Sequence, residues 1–188
     1  KGTGKWSVIN AMELGMPLGL IATAVFERSL SAQKNLREAA SKQFICQRSQ
    51  VVYNKPELVK DIYSALYASK LVSYAQGFAV LQKASESFGW DLDLASIARM
   101  WRGGCIIRSI FLAAAFEAQQ KPKHLLLAPY FREEIKELLS GWKHLVAHAM
   151  KEELPVPAFS SALNYFYSLV SAKLPANMIQ AQRDYFGA

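Results

Sequence analysis

Residues 130–151 read YFREEIKELLSGWKHLVAHAMK, and their apolar positions Ile135, Leu138, Leu139, Trp142, Leu145, Val146, Ala149 and Met150 recur at steps of three and one. That spacing lines one face of a 3.6-residue period and predicts an amphipathic helix. Pro129 suits its first turn, where a missing N–H leaves no hydrogen bond unmade. The same reading extends outward along the chain. Between residues 57 and 88 one stripe runs Tyr63, Tyr67, Leu71, Tyr74, Phe78, Leu81 and a second runs Leu58, Ile62, Leu66. So wide an apolar face predicts a helix central in the core, entered at Pro56 and left at Gly89. A further long helix is expected over 18–40, opened by Pro17, with Leu20, Ile21, Ala24, Val25, Ser29 and Leu36 on its inner side. Shorter helices are expected over 6–14, 94–101 behind an Asp93 cap, 106–119, 159–172 and 176–186. Residues 44–53 contain Val51 and Val52 and suit an extended strand, but no partner run with period two accompanies them. The expected fold is all-α, a multi-helix domain of seven or eight helices around two or three long core helices.

Composition narrows the function classes. The 188 residues carry 22 Lys and Arg against 15 Asp and Glu, a formal charge of +7, with 52% apolar residues. That suits one globular domain and excludes a disordered chain. The positive excess is local: residues 1–50 hold seven basic against three acidic side chains, and 101–150 hold seven against four. Basic and aromatic residues interleave only sparsely, so nucleic acid is not the expected partner. The charge-free stretches 14–26 and 154–172 are too short, or too rich in Pro, Ser and Asn, to cross a bilayer, and no membrane association is expected. Cys46 and Cys105 stand 59 positions apart without a CxxC spacing, which fits reduced thiols in a cytoplasmic protein. The opening KGTGKW, with no initiator Met and no signal peptide, reads as part of a longer protein.

Few residues announce chemistry by themselves. KGTGKW sets Gly2 and Gly4, the Thr3 hydroxyl and the ammonium groups of Lys1 and Lys5 just ahead of a helix. Glycines let the backbone approach a ligand, and a helix N-terminus favours an anion. The stretch is neither GxxxxGK[ST] nor GxGxxG, and on its chemistry alone a flexible interdomain linker is the expected reading, with an anion cradle as the alternative. MWRGGCIIRS at 100–109 places Arg102 and Arg108 around two glycines and reads as a tight turn between helices, with Cys105 a buried, inert thiol. His144 and His148 lie four apart on a helix, but no third ligand accompanies them, and no metal site is expected. No GxSxG elbow or distinct carboxylate pair is visible.

Four segments in order resemble one family. KGTGKW with the AMELGMP that follows, YASKLVSYAQGF at 67–78, MWRGGCIIRS, and LPANMIQAQRDYFGA at 174–188 closely resemble the carboxy-terminal helical domain of decarboxylating 6-phosphogluconate dehydrogenases. The resemblance spans residues 1–188. It implies an enzyme of the oxidative pentose phosphate pathway that oxidises C3 of 6-phosphogluconate with NADP and decarboxylates the product to ribulose 5-phosphate. It also implies that this chain is a dimerisation and substrate-binding domain, working as a homodimer whose site is shared across subunits. By the same resemblance Lys1 and Thr3 bind the substrate phosphate, Arg28 in AVFERSLS is a further ligand, and Arg183 in QAQRDYFGA reaches the phosphate held by the neighbouring subunit. The family's NADP-binding Rossmann domain, with its catalytic lysine and glutamate, lies upstream of the matching segments. The resemblance therefore implies no catalytic residue in this chain and no turnover by it alone. A noncatalytic helical interaction module derived from such an enzyme is the rival reading.

Overall fold

The computed structural model describes residues 2–45, 54–103, 105–109, 111 and 123–187. Among these residues every regular element is helical, as the apolar spacing requires. In chain order they are α1 (Thr3–Glu13), α2 (Gly19–Ser31), α3 (Lys34–Gln43), α4 (Lys55–Phe88), α5 (Leu94–Arg102), a single 3-10 turn (Leu125–Leu127), α6 (Pro129–Lys151), α7 (Pro157–Val170) and α8 (Asn177–Tyr185).

The 34-residue α4 is about 50 Å long at 1.5 Å per residue. Pro56 sits in its first turn, and Gly89 ends it in the left-handed conformation at φ 66° and ψ 33°, which glycine adopts without a Cβ penalty. The most extensive packing is between α4 and α6, while α2 lies on α7, and α7 also lies on α4. Leu71, Val72 and Phe78 of α4 meet Phe131, Ile135, Leu138 and Trp142 of α6 in one continuous core with Leu163 of α7. The Trp142 indole is fully buried and donates to the Phe159 carbonyl at 3.3 Å, so its single polar atom is satisfied.

Three expectations are corrected, in α2, in α4 and after α5. The helix expected over 18–40 is two helices, broken at Ala32 and Gln33. Near the break Ser29 and Ser31 bond back to the carbonyls of Val25 and Arg28 at 3.0 and 2.8 Å, and the Arg37 guanidinium takes the Ser31 carbonyl at 2.9 Å. Side chains thus compete for carbonyls that a continuing helix needs. Leu36, expected inward, is consequently exposed. In α4 the second stripe is core only at Leu58, which packs partly buried against it: Ile62 is 41% and Leu66 58% exposed, and Tyr63 of the first stripe is 61% exposed. The small residues Ser64, Ala65, Ala68 and Ala75 are buried instead, because only short side chains allow two helix backbones to pack so closely.

Asp93 caps α5 as expected, accepting from the Ala95 N–H at 3.1 Å. The helix expected from Ile106 does not start there, since Cys105–Arg108 form a turn closed by the Arg108 N–H on the Cys105 carbonyl at 3.0 Å. Most of its remaining length, and the extended segment suggested around Val51 and Val52, lie outside the described residues. Among the described residues no helix is long and apolar enough to cross a membrane.

Candidate functional site

Gly2 is the residue before the first turn of α1, with extended backbone at φ −90° and ψ 166°, and no side chain caps the helix start. The first N–H groups of a helix have no intrahelical acceptor and carry partial positive charge. An anion placed there meets donors already aimed at it. The packing of α1 on α2 supplies the second wall. A Cβ on Gly4 would stand 2.8 Å from Cγ2 of Val25, so glycine is what lets the two helices approach this closely.

One turn beyond Val25, the Arg28 guanidinium lies against the same loop: its Nη1 would be 3.4 Å from a Cβ on Gly2. Gly2, Gly4, Lys5, Val25, Arg28 and Ser29 line an open cavity of about 300 Å³. Arg28 is exposed, and among the described residues no ion pair joins it to Glu27 beside it. The cavity thus offers a guanidinium with fork geometry, an ammonium and a helix start, and none of the described residues that line it is a carboxylate. That combination matches a phosphate.

The residues proposed from sequence are distributed as follows. Arg28 lines this cavity. Lys1 lies outside the described residues. Thr3 opens α1 but lines a separate cavity of about 750 Å³ between α1, α2 and α4, where Lys70, Tyr74 and Trp101 also contribute. Arg183 is exposed in the last turn of α8, a helix that buries none of its residues, and it does not line the Arg28 cavity. Lys5, named with the KGTGKW stretch but given no phosphate contact by the resemblance, is at the cavity wall, with its ammonium 5.3 Å from the centroid of the Trp6 ring. The available signal was its place in the first turn of the helix that KGTG opens.

Comparison with known proteins decides the family. The family model for the 6-phosphogluconate dehydrogenase C-terminal domain matches residues 1–188. The chain belongs to this family. It is 48% identical to the decarboxylating 6-phosphogluconate dehydrogenase of Candida albicans and 51% identical to that of Caenorhabditis elegans, in each case over 100% of this chain and 38% and 40% of the relative. A solved structure of Plasmodium falciparum 6-phosphogluconate dehydrogenase, studied in its apo form and in complex with its cofactor NADP+ and its substrate 6-phosphogluconate, superposes with a TM-score of 0.91. It is 40% identical and is matched over 100% of this chain and 41% of its own. The chain therefore spans about two fifths of the length of these relatives.

Proposed function

We propose that this chain is the substrate-phosphate and dimerisation part of an NADP-dependent decarboxylating 6-phosphogluconate dehydrogenase of the pentose phosphate pathway. The observation that carries the reading is the Arg28 guanidinium held against Gly2 at the start of α1, in a chain that matches the family from its first residue to its last. Lys1 and Arg28 hold the phosphate of 6-phosphogluconate with Thr3, which reaches it from beside Gly4, the residue that lines both its own cavity and that of Arg28, and Lys5 adds charge at the rim. A phosphate fixed this way is remote from C3, so these residues orient the sugar acid and leave the chemistry to other groups.

NADP accepts the hydride in this reading. The residues described here carry no strand-turn-helix with a dinucleotide fingerprint, so no step at the cofactor is ascribed to them. Ile62, Tyr63 and Leu66 on α4, and Phe26 and Leu30 on α2, are exposed apolar side chains of the kind that a second copy covers. The exposed Arg183, on a helix without a buried face, then serves the phosphate held by the neighbouring subunit. A cytoplasmic setting suits this chemistry.

The test uses the full-length protein. Arg28→Ala and Arg183→Ala each raise KM for 6-phosphogluconate by at least about tenfold, the scale of one lost charged hydrogen bond, and leave KM for NADP nearly unchanged. Equal effects on both substrates overturn the assignment.

A further inference from the structure

The turn in MWRGGCIIRS is not absorbed by that reading, and it builds a different site. The Cys105–Arg108 turn reverses the chain directly after α5 ends at Arg102. The Tyr74 hydroxyl of α4 donates to the Ile107 carbonyl and ties the turn to the core. Arg102 and Arg108 are thereby brought to the same cavity, of about 670 Å³, into which Lys70 of α4 also projects. The Lys70 ammonium stands 5.6 Å from the centroid of the Phe111 ring, within range of a cation–π attraction that places it over the cavity wall.

We propose that Lys70, Arg102 and Arg108 form a second anion site, separate from the Arg28 cavity, that binds a small molecule carrying a phosphoryl group. Among the described residues no carboxylate lines the cavity and none of the three cations is ion-paired, whereas Arg99, three residues before Arg102, is paired with Asp93 at 3.6 Å. Three like charges brought together without a counter-charge repel, and a multiply charged anion relieves that repulsion. Two guanidinium forks and an ammonium match phosphoryl oxygens in number and geometry.

The remaining lining supplies neutral donors. Ser109 is buried in the wall, and the hydroxyls of Tyr67 and Tyr130 face each other at 2.9 Å. One hydroxyl hydrogen is used in that contact, which leaves the other for a ligand oxygen. Burial, the Tyr130 hydroxyl and the charge of nearby Glu134 push Tyr67 well above the ordinary tyrosine range, so its hydroxyl stays a donor at any physiological pH. Lys70 and Arg108 also line the adjoining 750 Å³ cavity, whose walls include Trp101, Ile107 and Leu81. The site therefore has room for an apolar body attached to the anionic group, within the volume range of small-molecule sites.

The experiment follows amide hydrogen exchange in the full-length protein with and without inorganic pyrophosphate. Pyrophosphate slows exchange in residues 100–109 of the unaltered protein. The double variant Arg102→Gln with Arg108→Gln weakens that protection by at least about tenfold in pyrophosphate concentration, and Lys70→Gln acts in the same direction. Arg28→Gln leaves it intact, and this separates the site from the proposed substrate-phosphate site. All of these side chains are exposed, so the substitutions remove charge rather than core packing. Absence of protection at 100–109, survival of protection in the double variant, or its loss in Arg28→Gln overturns the proposal.

Discussion

The side-chain oxygen of Gln76, fully buried in α4, accepts a hydrogen bond from the backbone N–H of Leu20 at 3.2 Å. Leu20 is the second residue of α2, where N–H groups have no partner within the helix. A core glutamine thus caps the helix that carries Arg28. Gln76→Leu keeps the volume and removes the acceptor, and it is expected to destabilise by about 1 kcal/mol, the loss of a part-buried hydrogen bond offset by removal of the Gln76 Nε2 group, which is buried without a partner among the described residues. A urea midpoint unchanged from the parent would show that Leu20 finds another acceptor.

Two glycines in long helices are expected to respond oppositely to alanine. A Cβ at Gly141 of α6 would stand 2.8 Å from both Asp61 Oδ1 and Ser64 Oγ of α4, and 2.9 Å from Ser64 Cβ. Gly141→Ala forces the two longest helices apart and destabilises by about 1–3 kcal/mol, outweighing the gain in helix propensity. At Gly77 of α4 a Cβ meets nothing within 4 Å among the described residues, so Gly77→Ala stabilises by about 0.5–1 kcal/mol. Thermal melts of the two variants shifting in the same direction would contradict this account.

What the sequence revealed, and what it hid, divides along a physical line. Periodicity located α4 and α6 because their buried faces are large and regular. It could not show that Ile62 and Leu66 stay exposed, since apolar spacing does not say which surface covers a face. The break at Ala32 and Gln33 was invisible because neither residue interrupts a helix by itself; serine and arginine side chains taking carbonyls at its ends are a three-dimensional effect. At the candidate site Arg28 was legible only through resemblance. Its approach to Gly2 depends on Gly4 meeting Val25, a contact between residues 21 positions apart. Gln76 carries no sequence signal, and although the glycines of MWRGGCIIRS announced a turn between Arg102 and Arg108, nothing in the sequence showed that it runs on through Arg108, where a helix was expected to have begun.

Stability should fall in mild acid because of His124. Its Nδ1 accepts from the Leu126 N–H at 3.3 Å, so the neutral ring carries its proton on Nε2 and donates it to the Tyr165 hydroxyl at 2.9 Å. Burial holds the imidazole below its ordinary value of 6.5. The unfolded chain therefore binds a proton before the folded one does. The contribution of His124 is complete above about 6.5 and is lost as pH falls from there through the lowered native value. The parent should lose urea resistance between about pH 8 and about pH 5, and His124→Gln should lose less. An equal slope in both proteins would remove His124 from the explanation.

The last prediction concerns how the Arg28 cavity is held. Val25 is β-branched in a helix, so its methyl group has little freedom to yield to a Cβ at Gly4 only 2.8 Å away. Gly4→Ala therefore separates the start of α1 from α2 and draws the loop at Gly2 away from the Arg28 guanidinium. No charge is altered, yet KM for 6-phosphogluconate should rise by roughly tenfold, since about 1.4 kcal/mol of a charged contact is lost. Val25→Ala removes the obstructing methyl groups. Combined with Gly4→Ala it should restore most of the lost affinity, giving a favourable coupling energy in the double-mutant cycle. Additive effects would mean that Gly4 acts on the phosphate through its own backbone flexibility and not through the spacing of the two helices.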